Sequence, residues 1–119
     1  MRNCITSFLA ASVAILGLAS AAPAQDDVKV GIILGFTGPI ESLTPDMAAS
    51  AELALKEVSD SGALLGGTTL TSVRGDSTCI DAAAASATAE RLITSDQVVA
   101  IMGADCSGVT TAIANNVAV

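Results

Sequence analysis

The turn Ala104-Asp105-Cys106-Ser107-Gly108 sets a carboxylate, a thiol and a hydroxyl side by side. Before it runs Val98 to Met102 (V-V-A-I-M), short, apolar and rich in β-branched residues. Such a run predicts a strand buried on both faces, ended by Gly103. After the turn, V-T-T-A-I-A follows at helical spacing. Strand, tight turn and helix make half of a βαβ unit. There the first N–H groups of the helix point unpaired into the crevice beyond the strand, a place that suits a carboxylate or another anion. Ser107 stands at that spot with a hydroxyl that can donate or accept. The chemistry on offer is the grip of an anion. The expectation is a small-molecule pocket around Ser107, with Asp105 and Gly108 of the same turn among its ligand-binding residues.

Other chemistries find less support. The chain has no histidine, tryptophan or tyrosine. A Ser-His-Asp triad and any His-containing metal site are therefore ruled out within it. An exported enzyme using Ser107 as nucleophile would need a base from elsewhere. No catalytic residue, metal or cofactor is expected. Gly31 and Gly35 form G-x-x-x-G, which is not the dinucleotide fingerprint G-x-G-x-x-G. Asp76 and Asp105, at the ends of loops, read as turn or capping residues; acid–base work is the sharper alternative. After the leader the only cations are Lys29, Lys56, Arg74 and Arg91. With no basic patch and a formal net charge of -7, nucleic acid is not an expected partner.

The elements that must position Ser107 follow in order. Val28 to Phe36 predicts a first strand, with Ile32-Ile33-Leu34 continuous as a central parallel strand requires. Gly31 and Gly35 point to close approach, for Gly31 by a helix packed on the sheet. Thr37-Gly38-Pro39 is a turn, and its loop runs on through Leu43. Thr44 as N-cap, Pro45 at N1 and Asp46 in the first turn open a helix to about Asp60. Its expected apolar face is Met47, Ala51, Ala54, Leu55 and Val58. Glu52 and Lys56 are spaced as an i,i+4 pair, and Gly62 suits the left-handed C-terminal position. Thr68 to Arg74 predicts a second, more polar strand. Thr78 to Asp81 is spaced like a capping box before an alanine-rich helix from Asp81 to about Ser95.

The order β-α-β-α-β-α predicts an α/β fold: a parallel three-layer βαβαβα sandwich with right-handed crossovers and strand order 2-1-3. Its switch point lies between strands one and three. Loops Thr37 to Leu43 and Ala104 to Gly108 are expected to face each other across that crevice.

Residues 1–24 read as a secretory signal peptide. Arg2 gives a positive start, Ile5 to Ala22 an apolar core, and Ala22-Pro23-Ala24 an A-x-A cleavage pattern. An uncleaved membrane anchor is the alternative. Cys4 precedes the apolar core and so is misplaced for a lipoprotein cysteine. The remaining Cys79 and Cys106 most simply make one disulfide in an exported chain. It would close a roughly 28-residue loop, with a chain-entropy contribution of ~3.5 kcal/mol. Both cysteines follow strand C-termini, so the bridge would tie the second loop to the pocket turn.

Taken together, V-K-V-G-I-I-L-G-F-T-G-P-I, A-A-S-A-E-L-A-L-K-E-V, D-S-T-C-I-D and I-M-G-A-D-C-S-G-V-T resemble the start of a periplasmic branched-chain amino-acid-binding protein. This is the substrate-binding component of an ABC importer, with the type I periplasmic binding protein fold. The resemblance implies two α/β lobes joined by a hinge and closing on a ligand. It implies that residues 25–119 are an incomplete N-terminal lobe, with the second lobe and hinge absent. It places Ser107 on the family serine that holds the ligand α-carboxylate. Thr37 and Gly38 fall on the first-loop turn lining the cleft, and Cys79 and Cys106 on the family disulfide. It further implies a periplasmic location and the membrane permease and ATPase subunits as partners. An extracellular ligand-sensing receptor domain of the same fold is the alternative. One departure stands out: Leu43 occupies a place where amino-acid-binding members often carry an aromatic residue.

Overall fold

The computed structural model describes residues 27–118; the predicted leader, residues 1–24, lies outside them. The element order is β1 (Asp27–Leu34), α1 (Thr44–Ser61), β2 (Thr69–Asp76), α2 (Ala82–Thr94), β3 (Ala100–Gly103) and α3 (Ser107–Asn116). The three strands are parallel in the order β2-β1-β3. β1 is central: Asp27 to Leu34 pair with Thr69 to Asp76 on one side, and Val30 to Ile33 with Ala100 to Gly103 on the other. This is the topology that the alternation of strands and helices predicts.

β1 holds its place because side chains alternate along it. Ile32 and Leu34 pack with Ala48 on one face, beside Phe36, Ala51 and Leu55. Ile33 packs on the other with Ala89, Leu92 and Val98, beside Val73, Ile101, Ile113 and Val117. Ile32 and Ile33 are fully buried, and each such side chain contributes about 1.5–3 kcal/mol. Helix α1 therefore covers one face, while α2 and α3 share the other. A Cβ on Gly31 would lie 3.2 Å from both Leu92 and Ile101 side chains. Its hydrogen thus leaves room for α2, as expected. The alanines serve the same end: Ala85 and Ala89 are fully buried against the sheet.

Several local expectations need correction. Thr44 does not cap α1. The cap position is Leu43, without a side-chain hydrogen bond; Thr44 is the first helical residue and Pro45 the second. Thr44 is buried, and its hydroxyl donates to the carbonyls of Gly35 and Glu41, both at 3.3 Å. A tertiary bond to the end of β1 has won over the local cap. The inward stripe of α1 is also rotated, to buried Thr44 and Ala48 with half-buried Ala51 and Leu55, leaving Met47, Ala54 and Val58 exposed. Glu52 does not pair with Lys56. It takes Arg74 of β2 in a two-pronged bond, 2.6 Å to Nε and 2.8 Å to Nη2, while Lys56 pairs with Asp60. The planar guanidinium fork suits a carboxylate better than a flexible ammonium does. Arg74 also lies over the Phe36 ring, 5.4 Å from its centroid. Asp81 is the α2 N-cap itself, accepting from the N–H groups of Ala83 and Ala84. The Asp81 N–H still donates to the Thr78 hydroxyl at 3.0 Å.

Candidate functional site

The loops after β1, β2 and β3 gather at the C-terminal end of the sheet, where a parallel fold places its ligands. They are tied through two carboxylates and one covalent bond. Asp76, closing β2, accepts from the Thr37 hydroxyl at 2.5 Å and the Thr37 N–H at 3.2 Å. It also accepts from the Thr78 N–H at 2.8 Å, the turn role expected of it. Burial raises the Asp76 pKa. Bonds from the Thr37 hydroxyl and from the N–H groups of Thr78, Thr37 and Phe36 outweigh that and hold it below the ordinary aspartate value. Asp105 accepts from the Gly35 N–H at 2.9 Å and from the Ser77 hydroxyl at 3.4 Å. Cys79 and Cys106 form the expected disulfide, their Cα atoms 5.3 Å apart.

Beyond these ties α3 begins. Cys106 takes its N-cap position without a side-chain bond, and Ser107 is the first helical residue. The first helical hydrogen bond runs from Thr110 N–H to the Cys106 carbonyl, so the N–H groups of Ser107, Gly108 and Val109 have no partner in the helix. The Ser107 hydroxyl has no hydrogen bond among the described residues. The turn is stiffened by Thr110, whose hydroxyl donates to the carbonyls of Ala104 at 3.1 Å and Cys106 at 2.9 Å. A pocket of about 380 Å³ opens here, lined by Ala104, Asp105, Ser107, Thr110, Thr111 and Ala114. An exposed helix start with a free hydroxyl beside it can hold an anion by dipole and hydrogen bonds together.

The structure brings the predicted residues into two groups. Ser107 and Asp105 line the pocket; Gly108 follows on the exposed first turn of α3. Thr37 and Gly38 lie instead against the second loop, a Gly38 Cβ coming within 2.5 Å of the Thr78 carbonyl. The expected meeting of the first and third loops is thus made by Gly35 with Asp105 rather than by Thr37 or Gly38. Thr110, Thr111 and Ala114 were not singled out from the sequence. Their signal was nonetheless present: with Ser107 they stand at i, i+3, i+4 and i+7, one face of a helix.

Residues 27–119 match a family model described as periplasmic binding protein. The chain is 39% identical over 100 residues to Leu/Ile/Val-binding protein homolog 7 of Brucella melitensis, covering 84% of this chain and 24% of that protein. It therefore spans about a quarter of the length of the curated relatives it matches. Among solved structures it resembles LivJ from Streptococcus pneumoniae, the substrate binding protein of a branched-chain amino acid transporter, in complex with isoleucine. That likeness has a TM-score of 0.69 at 25% identity, over 78% of this chain and 26% of the other. A solute binding protein of an ABC transporter from R. palustris, in complex with 4-hydroxybenzoate, gives 0.64 at 26% identity, over 78% and 24%. Since the matched span runs through every described strand and helix, and the fold is similar to that of these solved relatives, the chain belongs to the periplasmic binding protein family.

Proposed function

We propose that this chain is the carboxylate-gripping part of an exported substrate-binding protein. The protein captures a branched-chain amino acid or a similar small carboxylate in the periplasm and delivers it to the permease and ATPase subunits of an ABC importer. The supporting observation is the start of α3: a free Ser107 hydroxyl and unpaired N–H groups at the mouth of a pocket. Isoleucine and 4-hydroxybenzoate, the ligands of the two solved relatives, differ in shape and in the ammonium group. They share a carboxylate, the group an α3 N-terminus suits best.

The work is capture, not bond making. Ser107 donates to one carboxylate oxygen, and the first N–H groups of α3 serve the other. Hydrogen bonds to a charged group contribute about 1.5–3 kcal/mol each. Thr37 and Gly38 form the rim toward the second loop, and the missing wall of the cleft is a second lobe that closes on the bound ligand. The test is calorimetry on the full-length protein with branched-chain amino acids, aromatic carboxylates and their primary amides. The expected result is saturable binding of a carboxylate and none of its amide. Equal binding of acid and amide overturns the proposal.

A further inference from the structure

Asp105 belongs to the turn before α3, yet its carboxylate reaches back to both other loops. Oδ2 accepts from the Gly35 N–H and Oδ1 from the Ser77 hydroxyl. Gly35 and Ser77 are buried, and the Ser77 N–H donates to the Leu34 carbonyl at 2.8 Å. The Gly35 N–H has no other acceptor among the described residues. The disulfide beside it joins the third loop to the second. Among the described residues, Asp105 alone bonds the third loop to the end of β1, the strand at the centre of the sheet. Cys106 and Ser107 follow directly, so this carboxylate ties the turn at the helix start to the centre of the sheet.

A carboxylate next to an anion site would repel the ligand if it faced it freely. Here each oxygen already takes a bond from the chain, and both bonds draw it toward the sheet. We infer that Asp105 is a positioning residue for the carboxylate grip: it fixes where Ser107 and the first turn of α3 stand and does not itself bond the ligand. This rests on the proposed capture of a carboxylate at Ser107.

L-isoleucine and 4-hydroxybenzoate serve as probes in calorimetry on the full-length protein. Asp105→Ala strands the Gly35 N–H, and affinity for the bound carboxylate falls about tenfold or more. Asp105→Asn, whose amide still offers an oxygen to Gly35 and an N–H to Ser77, recovers most of the loss. Asp105→Glu keeps the charge and displaces it by one methylene; it gives the same loss as alanine and serves where Asp105→Ala does not fold. In either weakened background the penalty of Ser107→Ala shrinks, because coupled residues are not additive. The amide resonances of Ser107, Gly108 and Val109 shift in the same variants without any ligand. Equal Ser107→Ala penalties in both backgrounds, or unmoved amides at these three residues, overturn the inference. So does an Asp105→Asn variant as weak as Asp105→Ala, since the ligand would then be reading the charge. If neither probe binds, or Ser107→Ala has no effect in the parent, the functional reading falls instead, and the amide shifts alone decide the role of Asp105.

Discussion

Thr37 gives both its hydroxyl and its N–H to the Asp76 carboxylate, so the loop after β1 is fastened to the end of β2. The fastening needs the ionised form of Asp76, which has no proton to place between the oxygens. With its pKa lowered in the fold, the contribution to stability is complete above the unfolded value of about 3.9 and is lost as the pH falls through the folded value. Thermal melts at decreasing pH should therefore show a loss below about pH 4 that Asp76→Asn reduces. A variant with the same acid profile as the parent would contradict this account.

Gly103 ends β3 where a side chain has no room. Its φ is +117°, and a Cβ there would sit 2.0 Å from the Ile33 carbonyl oxygen. Gly103→Ala should cost at least about 3 kcal/mol in urea unfolding, from the collision and the backbone conformation together. Gly108→Ala is the control. It lies in a helix with open space around it, and alanine there should be neutral or stabilising by up to about 1 kcal/mol. Similar behaviour of the two variants would show that the end of β3 is not where the structure puts it.

The sequence carried the framework further than the side-chain partnerships. Ile32-Ile33-Leu34 could only be a strand covered on both faces, and it is buried throughout. Two right-handed crossovers, the second passing back across that strand on the other face of the sheet, left the 2-1-3 order as the natural result. Partnerships failed where a distant residue outcompeted a near one. Thr44 looked like a cap until β1 offered it the Gly35 carbonyl. Glu52 looked like a partner for Lys56 until β2 brought up Arg74. Spacing along one helix carries no information about either competitor. Near the candidate site, the strand–turn–helix pattern put Ser107 at the start of α3, where it stands. The inward turn of Asp105 toward Gly35 was hidden, because it depends on how far apart two strand ends lie.

The Cys79–Cys106 bridge closes a loop with a sequence separation of 27. Reduction, or Cys79→Ser with Cys106→Ser, should lower stability by about 2–4 kcal/mol. It should also weaken ligand binding, since Cys106 is the N-cap residue directly before Ser107. Melts and calorimetry with and without dithiothreitol check both. A change in melting temperature with affinity untouched would make the bridge a staple for the fold alone.

Ser107→Ala removes one hydroxyl from an exposed helix start and leaves the backbone of α3 as it is. Ser107 is exposed, and its Oγ is bonded to nothing else among the described residues, so the fold has little to lose. Alanine is also the better helix former, by a few tenths of a kcal/mol. Stability should therefore hold or rise slightly. Ligand binding should weaken by about 1.5–3 kcal/mol, the range for a hydrogen bond to a charged group. That is about one to two decades in Kd. The opposite signs separate the pocket role from a structural one: a residue that merely supports the turn would lose stability and affinity together. Calorimetry on a variant that melts at or above the parent temperature decides the matter, and unchanged affinity there would remove Ser107 from the ligand.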